Sequence, residues 1–143
     1  MIKFFSKDEE TLIVDSIRRA ELATSGEIRV HVEVGAEAPA ISVAKRVFHQ
    51  LGMDKTADRN GVLILLEVDR REFAIIGDEG IDKVVPASFW DSTRDVMQTH
   101  FRAGDFARGI ELAVAEVGDQ LKAYFPYRSD DVNELPDEIS YGG

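Results

Sequence analysis

Two short segments that contain glycine and acidic or amide side chains lie on either side of a predicted hairpin, which would bring them together. Asp58-Arg59-Asn60-Gly61 precedes an apolar, β-prone run, and Gly77-Asp78-Glu79-Gly80 follows the next one. A tight turn at Arg70-Arg71 would place Gly61 opposite Gly80 and Leu63 opposite Asp78. The two polar segments would then meet at one end of a sheet, where a functional site is expected.

The residue types at this end of the predicted sheet favour the binding of a hard cation. Asp, Glu and Asn oxygens suit Ca²⁺ or Mg²⁺, and glycine lets the backbone approach a ligand closely. The first strand, if parallel to the second, brings Glu27 to the same end, and Asp105 could approach it too. Turns are also built from Asp, Asn and Gly, so a purely structural interpretation stays open. The predicted metal ligands are Glu27, Asp58, Asn60, Asp78, Glu79 and Asp82, with Asp78 the best single candidate.

Two further groups carry weaker signals. His31 and Glu33 are two apart on a predicted strand and share a face, which suits Zn²⁺, but no third ligand is apparent; a polar strand face is the alternative. Arg102 or Arg108 could hold a carboxylate or phosphate, or could be an ordinary surface arginine. Nucleotide-binding glycine loops and the nucleophile elbow of hydrolases do not occur in the sequence.

Composition narrows the class of protein. The chain has 143 residues, 44% hydrophobic and 31% charged, which is ordinary for one soluble globular domain. The net charge of −10 and the lack of a basic patch argue against nucleic acid as a partner. Cysteine is absent, which excludes disulfides and thiolate metal sites. With no apolar run long enough for a membrane span and no secretory leader recognised, the default expectation is a cytoplasmic location.

The elements that must position these residues follow from periodicity. Apolar spacing and caps predict helices over about 7–23, 41–51 and 89–101, a short helix over 81–85, and a last helix capped by Asp105 and reaching Phe125. Glu27–Val34 alternates and predicts a half-buried strand, Val62–Val68 a central strand, and Glu72–Ile76 its antiparallel partner. We therefore predict a three-layer α/β/α sandwich around a small mixed sheet with a parallel crossover and an antiparallel hairpin. Residues 1–125 form the predicted single domain, and 126–143 a loosely held acidic tail.

Several motifs together resemble the TPM domain, found in thylakoid-lumen proteins of photosystem II maintenance and in many bacterial proteins. They are Asn60-Gly61 followed by an apolar strand, the Gly77–Gly80 turn, and above all FRAGDFARGI from Phe101 to Ile110. The resemblance covers about 6–125 and implies an α/β/α sandwich, with divalent-cation binding in some members and acid phosphatase activity ascribed to a plant member. The Gly-Tyr-Gly frequent in that family is here Gly77-Asp78-Glu79-Gly80, which adds two carboxylates.

Three hypotheses follow. The first is a regulatory or protein-maintenance module that binds Ca²⁺ or Mg²⁺ at the hairpin's open end. The second is a metal-assisted acid phosphatase at the same place, with Arg59 or Arg102 holding the phosphate. The third is a non-catalytic interaction module whose acidic tail binds a protein partner.

Overall fold

The structure is a computed structural model that describes residues 4–35, 37–128 and 134–142. Five helices and four strands lie in those ranges. In chain order they are α1 Lys7–Glu21, β1 Glu27–Glu33, α2 Ala40–Gln50, β2 Gly61–Glu67, β3 Glu72–Gly77, α3 Glu79–Asp82, α4 Asp91–Arg102, α5 Phe106–Leu121 and β4 Ser140–Gly142, with a 3₁₀ turn at Met53–Lys55. Among these helices none is long and apolar enough to cross a membrane.

The four strands form one mixed sheet in the order β3-β2-β1-β4. β1 and β2 are parallel, with Glu27 beside Gly61, and α2 supplies the crossover that a parallel pair requires. β2 and β3 form the predicted antiparallel hairpin. β4 adds a short parallel strand on the far side of β1. The prediction of a mixed sheet with a crossover and a hairpin is confirmed.

Each face of the sheet is covered by helices. Val30 and Ile64 lie in a core shared with α1, α4 and α5, whereas Leu63 and Leu65 pack against α2 on the opposite face. Successive residues of a strand point to opposite faces, so the nearly continuous apolar run of β2 supplies both cores. This is the predicted α/β/α arrangement.

The register of the hairpin differs from the prediction. Leu63 lies opposite Ile76 rather than Asp78, and Asp78 donates its amide to the Gly61 carbonyl at 2.9 Å. The turn is centred at Asp69-Arg70 rather than Arg70-Arg71: the Arg71 amide donates to the Val68 carbonyl at 3.2 Å, and Arg71 adopts a left-handed conformation with φ of 52° before β3 begins. A shift of two residues keeps every side chain on its predicted face. The two glycine-containing segments therefore still meet.

The prediction of a half-buried β1 is wrong, because all seven of its residues are buried. The polar side chains on its α2 face are covered by the segment 134–142, which runs beside β1 and ends in β4. The contacts follow one another along β1. The Glu27 carboxylate accepts hydrogen bonds from the amides of Glu134 and Leu135, and Arg29 Nη2 donates to the Glu138 carbonyl. Further along, His31 Nδ1 contacts Ser140 Oγ, and the Val34 amide donates to the Gly142 carbonyl.

Residues 134–142 lie along the sheet, within the stretch 126–143 that the sequence predicted to be a loosely held tail. Of that predicted tail, 129–133 and 143 lie outside the described residues. The division into a domain over 1–125 and a separate tail stays a prediction.

Candidate functional site

The segments 58–61 and 77–80 meet at the open end of the hairpin, as predicted. The Gly80 amide donates to the Arg59 carbonyl at 2.9 Å. A Cβ on Gly80 would overlap the carbonyl oxygens of Asp58 and Arg59, so the close approach requires glycine. Two predicted site segments, far apart in sequence, are thus held together by the backbone.

Asp78 is bound by an arginine at this end. Arg59 Nε and Nη2 donate to its two carboxylate oxygens at 2.7 and 2.9 Å, and Nη1 reaches Glu79 at 3.2 Å. Asp78 also accepts the Glu79 amide at 2.8 Å and caps α3. Bidentate charge-assisted contacts of this kind are strong, and the hydrogen bond to Asp78 raises the pKa of Arg59. Arg59 therefore neutralises the acid that the sequence marks as the best metal ligand.

The other acids of the hairpin end have separate surroundings. Asp58 is exposed and forms an ion pair with Arg128 at 3.2 Å. Asp82 is the last residue of the short α3, which Asp78 caps. Partial burial, and then the negative charge of Asp78, raise the pKa of Asp82. None of these acids contacts Glu27 in a described hydrogen bond or ion pair.

Glu27 forms a second polar cluster with the C-terminal segment. Its carboxylate is buried, and Oε1 accepts from the amides of Glu134 at 2.5 Å and Leu135 at 2.7 Å. The Glu134 side chain lies against it and also accepts the Ala57 amide at 3.2 Å. Burial is the main cause that raises the pKa of Glu27 to about 7; the two amides oppose it and the Glu134 carboxylate adds to it. The buried Glu27 and the more exposed Glu134 thus lie in contact. Among the described residues, no arginine or lysine is bound to either of them.

Two polar side chains near this cluster have no partner among the described residues. Asn60 Nδ2 and Thr56 Oγ1 are buried without a hydrogen bond, and the residues are 2% and 4% exposed. Both belong to the connection that contacts Glu134 through Ala57, and the Asn60 carbonyl accepts the Glu27 amide at 3.3 Å. A buried polar group without a partner is costly, so the pair marks this connection as a place where a ligand or water would be bound.

A second pair of acids lies next along the same segment. The Glu21 carboxylate accepts the Ile28 amide at 3.2 Å and contacts Asp137. Burial, followed by the hydrogen bond to Asp137, raises the pKa of Glu21 to about 9. Sequence reasoning missed Glu21, Glu134 and Asp137. The only signal was the acidic composition of the tail, which does not identify what the tail contacts.

His31 and Glu33 do share a face, but they are part of the buried polar surface under β4. His31 Nε2 contacts Glu33 Oε1 at 2.7 Å, and Nδ1 contacts Ser140 Oγ at 2.7 Å. Burial lowers the pKa of His31. Within residues 4–35, 37–128 and 134–142, no group of three or more His, Asp or Glu side chains is arranged to hold a metal.

The arginines proposed for phosphate do not come together. Arg59 precedes β2 and is bound to Asp78 and Glu79, whereas Arg102 lies at the end of α4, beside the hairpin turn. Because β2 has seven residues, the two are separated by about 20 Å along the sheet. Arg108 forms an ion pair with Glu111, and Asp105 caps α5 by accepting the Arg108 amide at 3.3 Å.

Comparison with known proteins places this architecture. The solution NMR structure of the BA42 protein from the psychrophilic bacterium Bizionia argentinensis is 46% identical, with a TM-score of 0.93 over 99% of this chain and 98% of that one. The N-terminal domain of a protein from P. gingivalis is 23% identical, with a TM-score of 0.67 over 85% of this chain and 78% of that one, and shares the fold. The N-terminal domain of the cg2496 protein from Corynebacterium glutamicum is 14% identical, with a TM-score of 0.62 over 95% of this chain and 80% of that one, and also shares the fold.

None of the curated proteins matches the chain. The family model described as the TPM domain matches residues 2–120, most of the chain, and confirms the resemblance inferred from the hairpin and FRAGDFARGI motifs. The chain therefore belongs to the TPM domain family.

Proposed function

We propose that this domain is a divalent-cation binding module whose site lies at Glu27 and Glu134, where the C-terminal segment meets the start of β1. The observation that carries the proposal is the contact between the buried carboxyl group of Glu27 and the carboxyl group of Glu134. Among the described residues, no positively charged side chain is bound to either group. Like charges in contact require a proton or a cation between them. Ca²⁺ or Mg²⁺ would replace the proton and bind the C-terminal segment to the sheet.

Two neutral polar side chains lie on the connection whose backbone contacts Glu27 and Glu134. Thr56 has a buried hydroxyl without a partner, and Asn60 has a buried amide whose nitrogen has none among the described residues. Turning the Asn60 amide over exchanges its nitrogen and oxygen and would offer an acceptor in that position. Carboxylate, amide and hydroxyl oxygens, completed by water, are the ligands that Ca²⁺ and Mg²⁺ use.

The cluster around Asp78 supports cation binding less well. Both Asp78 oxygens are used by Arg59, so a metal would have to displace a bidentate arginine from a residue that is 5% exposed. Of the six ligands predicted from sequence, Glu27 and Asn60 belong to the proposed site. Asp58, Glu79 and Asp82 are exposed acids near the buried Asp78 and its partner Arg59.

The proposed role is binding, in keeping with a regulatory or protein-maintenance module. A phosphomonoesterase at this site would need an arginine free to hold the phosphate. Arg59 is already bound to Asp78 and Glu79, and Arg102 lies at the other end of β2. We expect no hydrolysis of p-nitrophenyl phosphate at acid or neutral pH with saturating metal.

The test is an NMR titration of backbone amides with Ca²⁺ and Mg²⁺. We expect localised shifts at residues 27, 56–60 and 134–135, lost in Glu27→Gln and retained in Asp95→Asn. The glutamine side chain keeps an acceptor for the Glu134 and Leu135 amides, so the fold is preserved while the charge is removed. Asp95 is an exposed acid on α4 and serves as the control. No shifts at millimolar metal, or shifts confined to 78–82 and unchanged by Glu27→Gln, would contradict the proposal.

A further inference from the structure

A cavity of about 720 Å³ lies at the opposite end of the sheet from the proposed cation site. It opens between the hairpin turn and the junction of α4 with α5. Its apolar walls include Leu66 at the end of β2, Phe73 at the start of β3, Phe101 near the end of α4 and Phe106 at the start of α5. Its volume is in the range of cavities that enclose a small organic molecule, roughly 300 to 1,000 Å³.

The motif FRAGDFARGI builds one wall of this cavity. Gly104 adopts a left-handed conformation with φ of 78° and lets the chain turn between α4 and α5. At Gly109 a Cβ would lie 2.9 Å from the Phe101 ring, so glycine lets that ring pack against α5. Phe101 then makes an edge contact with Phe73, with ring centroids 5.4 Å apart, and lies 5.2 Å from Phe106. The aromatic rings of the walls thus pack against one another, and each remains partly exposed.

Two arginines line the cavity, and neither has a side-chain partner in the part of the chain that the structure describes. Arg71 and Arg102 have no side-chain hydrogen bond or ion pair with any residue that the structure describes. The other nine of the eleven arginines each contact a carboxylate or a carbonyl oxygen: Arg18, Arg19, Arg29, Arg46, Arg59, Arg70, Arg94, Arg108 and Arg128. In a chain with 27 acidic and 17 basic residues, the only two arginines without such a contact in the described ranges lie at the same aromatic cavity.

We propose that this cavity binds an organic acid with an apolar body and one terminal carboxylate. The aromatic and aliphatic walls would take up the body, whose transfer from water drives binding. Arg71 and Arg102 would hold the carboxylate, because a guanidinium offers paired donors that match its two oxygens. The ligand class follows from the combination, since an uncharged ligand would gain nothing from the two guanidinium groups and a small ion would gain nothing from the aromatic walls.

Octanoate is the test ligand and 1-octanol its uncharged counterpart. In an NMR titration of the full chain we expect octanoate to shift the amides of residues 66–73 and 98–106. The double variant Arg71→Gln/Arg102→Gln should weaken octanoate binding at least about tenfold, because charge-assisted hydrogen bonds are lost. Arg94→Gln, an exposed arginine elsewhere on α4, should leave it unchanged. Butyrate, with the same head group, should bind at least about tenfold more weakly than octanoate, because it buries fewer methylene groups.

Three results would overturn the proposal. The first is equal affinity for octanoate and 1-octanol, which would leave the arginines without a role. The second is unchanged octanoate binding in the double variant, and the third is octanoate shifts located outside the cavity. None of the substituted residues belongs to the proposed cation site, so the result does not depend on the outcome of the metal titration.

Discussion

At the scale of single residues, three acids that look alike in the sequence have different partners in the fold. Asp78 is neutralised by Arg59, Glu27 lies against Glu134, and Glu21 contacts Asp137. Burial raises the pKa of Glu27 and Glu21, whereas no positive group within the described residues offsets it for either. When an acid has a higher pKa in the folded protein than in the unfolded chain, the free energy of unfolding depends on pH.

Glu21→Gln should therefore stabilise the protein at alkaline pH and have little effect near pH 5. The pKa of Glu21 is about 9 in the folded protein, against 4.5 for an ordinary glutamate. Between those two pH values the folded state binds more protons than the unfolded state, so the free energy of unfolding of the wild type falls as pH rises. The stability that protonation of Glu21 contributes is fully lost once the pH passes about 9. Glutamine does not titrate, so the variant's advantage should grow with pH to about 1 to 3 kcal/mol, the range for a buried polar group without its partner.

Denaturant unfolding of both proteins across this pH range measures the effect. Glu37→Gln, at an exposed glutamate, provides the comparison and should show no such trend. A constant difference between Glu21→Gln and wild type from about pH 5 to about pH 9 would show that Glu21 is ionised throughout in the folded protein.

At the scale of elements, β1 and the C-terminal segment explain what the sequence could and could not predict. Helices α1, α2, α4 and α5 were predictable because their apolar spacing is local, as are the Ser6–Glu9 capping box of α1 and the Asp105 cap of α5. The alternating polar residues of β1 were interpreted as a solvent-facing side, which is the usual meaning of that pattern. Their partners lie more than 100 residues away, and no local rule connects them.

The same reasoning covers the candidate site. Glu27 was predicted because a parallel β1 and β2 must begin at the same end of the sheet. Glu134 was not, because an acidic, proline-containing tail carries no periodicity that would place it on β1. The Arg59–Asp78 contact was missed for a related reason. The hairpin brings the two segments together, but no local pattern in the sequence indicates that the side chain of Arg59 pairs with Asp78.

Gly142→Ala should release β4 from the sheet. A Cβ at this position would overlap Glu33 Oε1 and lie 2.9 Å from His31 Nε2, and both of these residues are buried. We expect a loss of about 1 to 3 kcal/mol, as for other overpacked sites. Amide hydrogen exchange should accelerate at Val34, which donates to the Gly142 carbonyl. Glu138→Ala changes an exposed side chain of the same segment and keeps the carbonyl that binds Arg29, so it should leave exchange at Val34 unchanged.

At the scale of the whole molecule, the two ends of the sheet offer different binding chemistry. The end where β1 and β2 begin carries Glu27, which contacts the C-terminal segment, and the acids of the hairpin's open end. The opposite end, about 20 Å away along β2, carries Arg71 and Arg102 beside an aromatic cavity. The two proposals therefore concern separate places, a cation at one end and an organic anion at the other.

Binding of a cation at Glu27 and Glu134 should raise the stability of the entire domain, because the site joins the C-terminal segment to the sheet. This expectation rests on the proposed function. A ligand at 100 times its Kd stabilises the folded state by about 2.7 kcal/mol. For a domain of this size that corresponds to a rise in Tm of roughly 5 to 10 °C. Calorimetry with and without Ca²⁺ measures it.

The gain should depend on pH in a defined direction. Because the pKa of Glu27 is about 7, protons compete with the cation, and the rise in Tm should be large near pH 8 and small near pH 5.5. Glu27→Gln should remove the rise at both pH values, whereas Asp95→Asn should retain it. If Ca²⁺ raised Tm equally at both pH values and in Glu27→Gln, the cation would be bound elsewhere. The hairpin acids Asp78, Glu79 and Asp82 would then be the next residues to substitute.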